Sequence, residues 1–339
     1  MSINKNIVQA SLITTYRCNA KCHMCEIWKH PTEPSEELDV GYYEKLPDGL
    51  RINITGGEPM LREDIEEIFK VVYPKASLLE LSTNGYYTDK IVAIAEKYPN
   101  TLIRVSIEGL SALNDKLRGT KNGFDHALRT ILELKKTKCK NIGFSIVISD
   151  KNVDELLSLY ELCCYLEVEL GNSVMHNSWY FHKTDNRIED VEKAVRFETE
   201  FVKMLLQSHR RGLKNKLKDY GRAYFNKSIA LRLAGETCKY RPACGAGKDF
   251  FFVDPWGDIT PCNGSDEKWT MGNLKDDSFE NILNSRKNRQ ITEKIKHCNK
   301  NCCFIVTDRH DMVRKPWTPI YWIIKNKIKI ALNLPIKFS

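Results

Sequence analysis

Short runs of β-branched and other apolar residues alternate with longer segments of helical periodicity over the first two thirds of the chain. Apolar residues recur at helical spacing between the runs, as at Ile65, Ile68 and Val72. Alternation over about six units predicts a parallel sheet flanked by helices, and six units are too few for a closed eightfold barrel. We therefore predict an α/β fold, a partial (β/α)6 TIM-like barrel, over residues 1–230. The six predicted strands are Val8–Tyr16, Arg51–Thr55, Leu78–Ser82, Leu102–Ile107, Asn141–Ile148 and Leu166–Leu170.

The pattern changes after about residue 230, where cysteines, glycines and aromatic residues dominate. The apolar run FFFV at 250–253 and the run DIT at 258–260 flank the turn-forming sequence DPWG, which predicts a β-hairpin. We predict a small Cys-rich α+β domain, a β-hairpin plus helix, over residues 231–312. A basic and aromatic helical appendix is predicted over residues 313–339.

The composition and the charge distribution of the chain exclude some classes of function. The 339 residues are 42% hydrophobic and 28% charged, which is typical of a globular protein. Residues 311–339 hold six basic residues and one acidic residue, and so account for most of the net charge of +8. A DNA-binding face concentrates basic residues within a folded domain, so we expect no nucleic-acid partner. The N-terminus lacks the apolar core of a secretory signal, and we expect a cytoplasmic protein.

Twelve cysteines in a chain expected to stay in a reducing compartment favour metal ligands or catalytic thiols over disulfides. Cys18, Cys22 and Cys25 follow the first predicted strand at spacing C-x3-C-x2-C. Three such thiolates can bind three irons of a 4Fe–4S cluster and leave the fourth iron open. A zinc site is the alternative, although structural zinc normally takes four protein ligands.

The cysteine loop, together with the sequence GGEP at 56–59 after the second strand, resembles the radical S-adenosylmethionine (SAM) superfamily. The resemblance covers about residues 8 to 215. It implies a 4Fe–4S cluster whose open iron chelates SAM, reductive cleavage of SAM to a 5′-deoxyadenosyl radical, and hydrogen abstraction from a substrate. Met24 departs from the family, in which the residue before the last cysteine is commonly aromatic.

The same resemblance implies a set of SAM contacts at the ends of the predicted strands. Glu58 and its glycines match the motif for the SAM amino group, and Arg118 matches the position whose guanidinium binds the SAM carboxylate. For the GGEP sequence, and for the sequence STNG at 82–85, the alternative interpretation is an ordinary turn. For Arg118 the alternative is a surface arginine at the end of a helix. The implied SAM-binding residues are Gly56, Gly57, Glu58, Pro59, Ser82, Asn84, Ser106, Glu108 and Arg118.

A second group of cysteines follows residue 235. The predicted hairpin brings Cys244 and Cys262 near each other, and the whole region resembles the twitch or SPASM extension of radical SAM enzymes. The resemblance implies one auxiliary 4Fe–4S cluster, for which a four-cysteine zinc ribbon is the alternative. Its implied ligands are Cys244, Cys262, Cys298 and Cys302, with Cys303 as a substitute for the last and Cys238 as a replacement ligand or spare thiol.

The function that these resemblances imply is that of a radical SAM oxidoreductase. The auxiliary cluster would accept one electron from the substrate radical, and a flavodoxin or ferredoxin would supply the reducing electron. Oxidation also needs a base. The candidates are His176, near the end of the sixth strand, and Asp254, in the hairpin turn, although both residue types are also common in purely structural roles there.

The expected substrate is a small molecule, carbohydrate-like or another small metabolite, because the cluster loop begins at Cys18 and leaves no room before it for a leader-binding domain. The first alternative is a peptide-modifying maturase. The second is a non-enzymatic, zinc-binding module that binds a nucleic acid or a protein.

The C-terminal segment 315–335 mixes aromatic and aliphatic residues with four lysines. This composition fits weak peripheral contact with a membrane. A helix packed on the barrel with a solvated lysine face fits it equally well.

Overall fold

A computed structural model describes residues 9–236, 244–300, 302 and 304–338. Close approach of Cα atoms divides the chain into two compact units, each built from separate stretches of sequence. The first comprises Met1–Ser145, His176–Asn186 and Cys244–Cys298. The second comprises Ile146–Met175, Arg187–Ala243 and Asn299–Ser339.

A parallel sheet forms the centre of the first unit. Neighbouring strands along the chain pair in order from β1 to β5, and helices connect them from β2 onward. Every residue of β1 is buried, whereas β2 alternates between buried and half-buried positions. The strands are β1 (Gln9–Ile13), β2 (Leu50–Thr55), β3 (Ala76–Thr83), β4 (Leu102–Ser106) and β5 (Ile142–Ile148), and the helices α1 (Ile65–Val72), α2 (Thr88–Lys97), α3 (Ser111–Arg118) and α4 (Gly123–Lys136). The second unit begins at Ile146, within β5.

The predicted hairpin is present, and it extends the same sheet. Strand β7 (Phe250–Val253) pairs in parallel with β1, so that Ala10 lies beside Phe251. Strands β8 (Asp258–Thr260) and β9 (Gly272–Asn273) then add in antiparallel fashion. Among the described strands the order is linear and the sheet does not close. This confirms the predicted partial barrel with an additional Cys-rich region, which ends in α8 (Phe279–Asn284) and α9 (Arg286–Lys296).

The second unit is mainly helical. Strand β6 (Glu169–Val174) lies beside the end of β5, and the amide of Met175 donates to the carbonyl of Ile148 at 2.9 Å. The strand predicted at Leu166–Leu170 starts later, because Leu166 closes the preceding helix. The helices are α5 (Leu156–Tyr165), α6 (Val191–Leu206), α7 (Leu213–Leu233), α10 (Ile305–Arg314) and α11 (Trp317–Ala331).

The domain ranges 1–230, 231–312 and 313–339 stay a prediction, but the compact units divide the chain differently. The boundary at 230/231 falls inside α7, which continues without interruption to Leu233. The Cys-rich region shares the sheet of the first unit because β7 occupies the edge of β1. No helix in the described part of the chain is long and apolar enough to cross a membrane.

The β1–β7 pairing makes a testable prediction at Phe251. Its side chain is 1% exposed, and its ring centroid lies 4.7 Å from that of Phe279 in α8. Phe251→Ala should therefore lower the free energy of unfolding by about 3–5 kcal/mol, measured by urea denaturation followed by circular dichroism. Leu132→Ala, at an exposed position of α4, is the control, and an equal loss in both variants would contradict the packing role of β7.

Candidate active site

The loop that carries Cys18, Cys22 and Cys25 leaves the end of β1 and is half-buried. Burial raises the pKa of the Cys18 and Cys25 thiols to about 12, and it raises the pKa of Cys22 as well. The thiols are therefore neutral at pH 7 unless a cation compensates the thiolate charge. An iron–sulfur cluster bound by these cysteines would supply that charge, since cysteines bind a metal as thiolates.

The C-terminal end of α3 holds the cysteine loop from one side. The amide of Lys21 donates to the carbonyl of Arg118 at 2.8 Å, and the amide of His23 donates to that of Leu117 at 2.8 Å. Gly119 follows with a φ of +57°, and a Cβ atom there would lie 2.7 Å from the Lys21 carbonyl oxygen. A glycine is required at this position on both counts.

The GGEP segment holds the loop from the other side through its main chain. The amide of Gly57 donates to the carbonyl of Thr15 at 2.7 Å, and the amide of Glu58 donates to that of Arg17 at 2.8 Å. A Cβ atom at Gly57 would overlap the Arg17 carbonyl oxygen and lie 2.8 Å from its carbon. The glycine therefore permits the close approach that fixes the chain immediately before Cys18.

The Glu58 carboxylate joins the ends of two strands. It is fully buried and accepts hydrogen bonds from the Thr83 hydroxyl at 2.8 Å, the Asn84 amide at 2.7 Å and the Met60 amide at 3.1 Å. Burial raises its pKa, and these donors partly offset the effect. The contact of Glu58 with SAM stays a prediction. The hydrogen bonds from Thr83 and Asn84 connect the chain after β2 to the end of β3 and so stabilise the fold.

The remaining SAM-contact candidates lie along the same edge of the sheet. The Asn84 side chain donates to the side-chain oxygen of Asn19, next to Cys18, at 2.6 Å. The Ser82 hydroxyl donates to the side-chain oxygen of Asn53 at 3.1 Å. Ser106 is the last residue of β4, and Pro59 opens a short 3-10 helix. The structure brings Asn84 to the cysteine loop directly.

Arg118 and Glu108 form a buried ion pair. Arg118 Nη1 lies 3.2 Å from Glu108 Oε1, and the two side chains are 9% and 1% exposed. The pKa of Arg118 is raised, although burial alone would lower it. The negative charges of Cys22 and Glu108 outweigh the effect of burial, and those of Cys18 and Glu58 add a smaller contribution. A permanent positive charge therefore lies beside the cluster cysteines.

A largely buried group of polar side chains, which no sequence motif indicates, orients the start of the loop. Arg17 donates to both carboxylate oxygens of Glu37, at 2.9 and 2.8 Å, and the Thr32 hydroxyl donates to the same carboxylate at 2.8 Å. Thr15 also donates to it. The adjacency of Arg17 to Cys18 was the one available signal, since Glu37 lies twenty residues away with no motif around it.

The segment His176–Asn186 connects the two cysteine regions within the first unit. Its Phe181 carbonyl accepts from the amide of Glu26 at 2.8 Å, and the Tyr180 hydroxyl donates to the carbonyl of Gly56 at 2.9 Å. Trp179 Nε1 donates to the carbonyl of Cys262 at 2.9 Å. This segment was predicted only as the location of His176.

The two predicted bases have different surroundings. The ring of His176 is 5.2 Å from that of Phe181, within the connecting segment. Asp254 is fully buried, accepts from the amides of Trp256 at 3.0 Å and Asp258 at 2.9 Å, and forms an ion pair with Lys268 at 2.5 Å. Asp254 therefore stabilises the hairpin turn. Both catalytic roles stay predictions.

The predicted auxiliary ligands are divided between the units. Cys244, Cys262 and Cys298 belong to the first unit and Cys302 to the second. Cys262 Sγ accepts from the amide of Gly264 at 3.1 Å. The alternatives Cys238 and Cys303 lie outside the described residues.

Within the described ranges, no three His, Cys, Asp or Glu side chains form a group that could hold a single metal ion. Ligands of a 4Fe–4S cluster each bind a different iron, so they need not converge on one point.

Gly57→Ala tests the close approach of the GGEP segment. Displacement of the chain before Cys18 should lower both the iron bound per chain after anaerobic reconstitution and the melting temperature. Gly41→Ala is the matched control, because no atom lies within 4 Å of the position where its Cβ would be. Normal iron content in the Gly57 variant would show that the loop tolerates the displacement.

Arg118→Met tests the buried ion pair. Removing one partner of such a pair leaves an uncompensated charge and costs about 3–5 kcal/mol. Urea denaturation should show this loss, and the double variant Glu108→Gln/Arg118→Met should recover part of it. A double variant less stable than Arg118→Met alone would mean that Glu108 is stabilised by other groups.

Two family models match the chain. The radical SAM superfamily model matches residues 12–163, and the SPASM iron–sulfur cluster-binding domain model matches residues 244–303. Together they imply a SAM-binding 4Fe–4S cluster, auxiliary iron–sulfur cluster binding and SAM itself. The half-buried cysteine loop and its glycine-lined contacts fit the first cluster. These matches do not support the zinc-module alternative.

Several curated proteins are similar in sequence. The Fe-coproporphyrin III synthase of Methanosarcina barkeri is 32% identical over 155 residues, 44% of this chain and 39% of that protein. The mycofactocin maturase MftC of Mycolicibacterium smegmatis is 26% identical over 278 residues, 79% of this chain and 68% of MftC. The antilisterial bacteriocin subtilosin biosynthesis protein AlbA of Bacillus subtilis is 23% identical over 310 residues, 87% of this chain and 65% of AlbA. The matched region thus spans only 39% of the first relative's length.

Solved structures share the fold. Streptococcus suis SuiB bound to precursor peptide SuiA aligns over 89% of this chain and 70% of SuiB, with a TM-score of 0.61 and 14% identity. The chain anSMEcpe with bound AdoMet and Cp18Cys peptide aligns over 88% of this chain and 87% of its own, with a TM-score of 0.61 and 17% identity. With the two family matches, this protein is a radical SAM enzyme that carries a C-terminal SPASM iron–sulfur domain.

Proposed function

We propose that this radical SAM enzyme modifies a peptide by oxidation. The observation that carries the proposal is the extent of similarity to the maturation proteins. MftC and AlbA align over 79% and 87% of the chain, and the sporulation killing factor maturation protein SkfB over 86%. By contrast, the Fe-coproporphyrin III synthase aligns over 44% only.

These comparisons favour the peptide-maturase alternative over the small carbohydrate-like substrate that was the main expectation. Two solved chains of the same fold hold a peptide, the precursor SuiA in one and Cp18Cys in the other. At 14% and 17% identity they share the fold alone with this protein, so they support the proposal only by showing that such a fold accommodates a peptide.

Different residues of this chain have different roles in the proposed reaction. Cys18, Cys22 and Cys25 hold the SAM-binding cluster, and the buried charge of Arg118 lies beside them. With SAM bound, a cluster on these cysteines would supply the chemistry for abstracting a hydrogen atom from the substrate, once a one-electron donor has reduced it. The GGEP contacts and the Arg17–Glu37 pair keep the loop in position.

After hydrogen abstraction, oxidation of the peptide also needs one group that accepts a proton and another that accepts an electron. Asp254 is committed to two amides and to Lys268, which favours His176 as the base. Cys244, Cys262 and Cys298 contribute to the auxiliary site, which we propose as the electron acceptor. A flavodoxin or ferredoxin is the proposed donor for SAM cleavage.

The test is a substrate-dependent assay on the anaerobically reconstituted full chain with SAM and dithionite. Synthetic peptides encoded by short reading frames beside the gene form one panel, and sugars and cyclitols form the other. A peptide should raise 5′-deoxyadenosine above the substrate-free level and lose two hydrogen atoms by mass spectrometry. The triple variant Cys18→Ala/Cys22→Ala/Cys25→Ala should abolish both signals.

The outcomes of this assay separate the candidate functions. A signal from the sugar panel alone would restore the small-molecule hypothesis. The variant Cys262→Ala should still form 5′-deoxyadenosine with the peptide but should lose the oxidised product. Oxidised peptide at the unaltered rate in this variant would contradict the electron-accepting role of the auxiliary site.

A further inference from the structure

The C-terminal helix α11 exposes an apolar stripe along its whole length. Its members recur every three or four residues, so at 100° per residue they occupy roughly a third of the helix circumference. Each is between 43% and 77% exposed. The members of the stripe are Trp317, Ile320, Tyr321, Ile324, Ile328 and Leu332.

The opposite face of α11 is fixed to the second unit. Trp322 is 5% exposed, and its ring centroid lies 5.6 Å from that of Tyr224 in α7. Lys327 Nζ donates to the carbonyl of Leu206 at 2.7 Å and to the Tyr220 hydroxyl at 3.1 Å. Because this face is anchored, the stripe points to solvent in a defined orientation.

The end of the chain folds back and reinforces this anchoring. The amide of Lys337 donates to the side-chain oxygen of Asn326 at 2.9 Å, and Trp322 Nε1 donates to the carbonyl of Lys337 at 2.9 Å. Asn326 is fully buried. The exposed stripe is thus part of an ordered helix whose polar contacts are made on its other side.

Lysines border the stripe without acidic neighbours in the sequence. On the helical period, Lys325 and Lys329 lie at one margin of the stripe, whereas Lys327 is engaged with Leu206 and Tyr220. The sequence has no Asp or Glu from Met312 to Ser339. Partial burial, with the charges of Lys337 and Lys325, lowers the pKa of Lys329, so the positive charges of this surface repel one another. An anionic partner would relieve that repulsion.

These features together are those expected of a helix that binds at a lipid headgroup region. An exposed apolar face with aromatic residues, bordered by lysines, is typical of interfacial helices. The 15 residues extend over about 22 Å, and the stripe is a convex ridge on a single helix, not a groove that would enclose a peptide. We propose that α11 docks the protein on an anionic membrane surface, with the stripe inserted and the lysines at the headgroups. This inference is independent of the proposed peptide substrate.

Vesicle sedimentation of the full chain tests the proposal. The probes are phosphatidylcholine vesicles and vesicles containing phosphatidylcholine with phosphatidylglycerol. The protein should partition onto the anionic vesicles and should lose this binding as salt is raised. Ile324→Glu/Ile328→Glu should abolish partitioning. Lys325→Ala/Lys329→Ala should weaken it by about 25-fold, since each lysine near an anionic surface contributes about fivefold.

Matched variants control for general changes of charge and hydrophobicity. Leu132→Glu replaces an exposed apolar residue of α4, and Lys70→Ala/Lys138→Ala removes two exposed lysines elsewhere; neither should change partitioning. Circular dichroism and iron content should be the same in all variants. Absence of partitioning by the unaltered protein, or equal partitioning by the Ile324/Ile328 variant, would overturn the proposal. So would a concentration-dependent dimer that the same variant dissolves, because the stripe would then be covered by a second copy.

Discussion

The main-chain contact between Gly57–Glu58 and Thr15–Arg17 is the constraint on which the candidate active site depends. Two amide-to-carbonyl hydrogen bonds join the end of β2 to the chain that leaves β1, immediately before the first cysteine. No side chain fits at Gly57 in this arrangement. Since the cysteine loop begins at this contact, its position relative to the strand ends is set by the backbone, and the side chains around it refine that position.

Much of the first unit could be predicted from local sequence. Strands β1 to β5 appear where the apolar runs are, with ends displaced by at most three residues. The cysteine spacing and the GGEP sequence are contiguous motifs, and both lie at strand ends as expected. These features are readable because period-two and helical patterns, and short motifs, each depend on residues close together in the chain.

The features that escaped prediction depend on contacts between distant segments. Parallel pairing of β7 with β1 joins residues about 240 positions apart. Parallel strands are not connected by a tight turn, so no local sequence signal indicates that they pair. Arg17 pairs with Glu37 across a loop without a motif, and Trp179 reaches Cys262 from a segment with no regular structure. Substrate class was also beyond the sequence, because the position of Cys18 along the chain says nothing about the groups that a substrate meets.

The charge balance around the cysteine loop bears on how SAM is recognised. Glu37 pairs with Arg17 and Glu108 with Arg118, whereas Glu58 accepts hydrogen bonds from uncharged backbone and hydroxyl donors. Arg118 is therefore engaged before any ligand arrives, and it also lies beside Cys22. A SAM carboxylate that reaches this guanidinium must share it with Glu108, since five N–H donors leave room for a second carboxylate. In this arrangement Glu108 fixes the orientation of the Arg118 guanidinium. The remaining N–H groups of Arg118 would be the donors to SAM, and that contact stays a prediction.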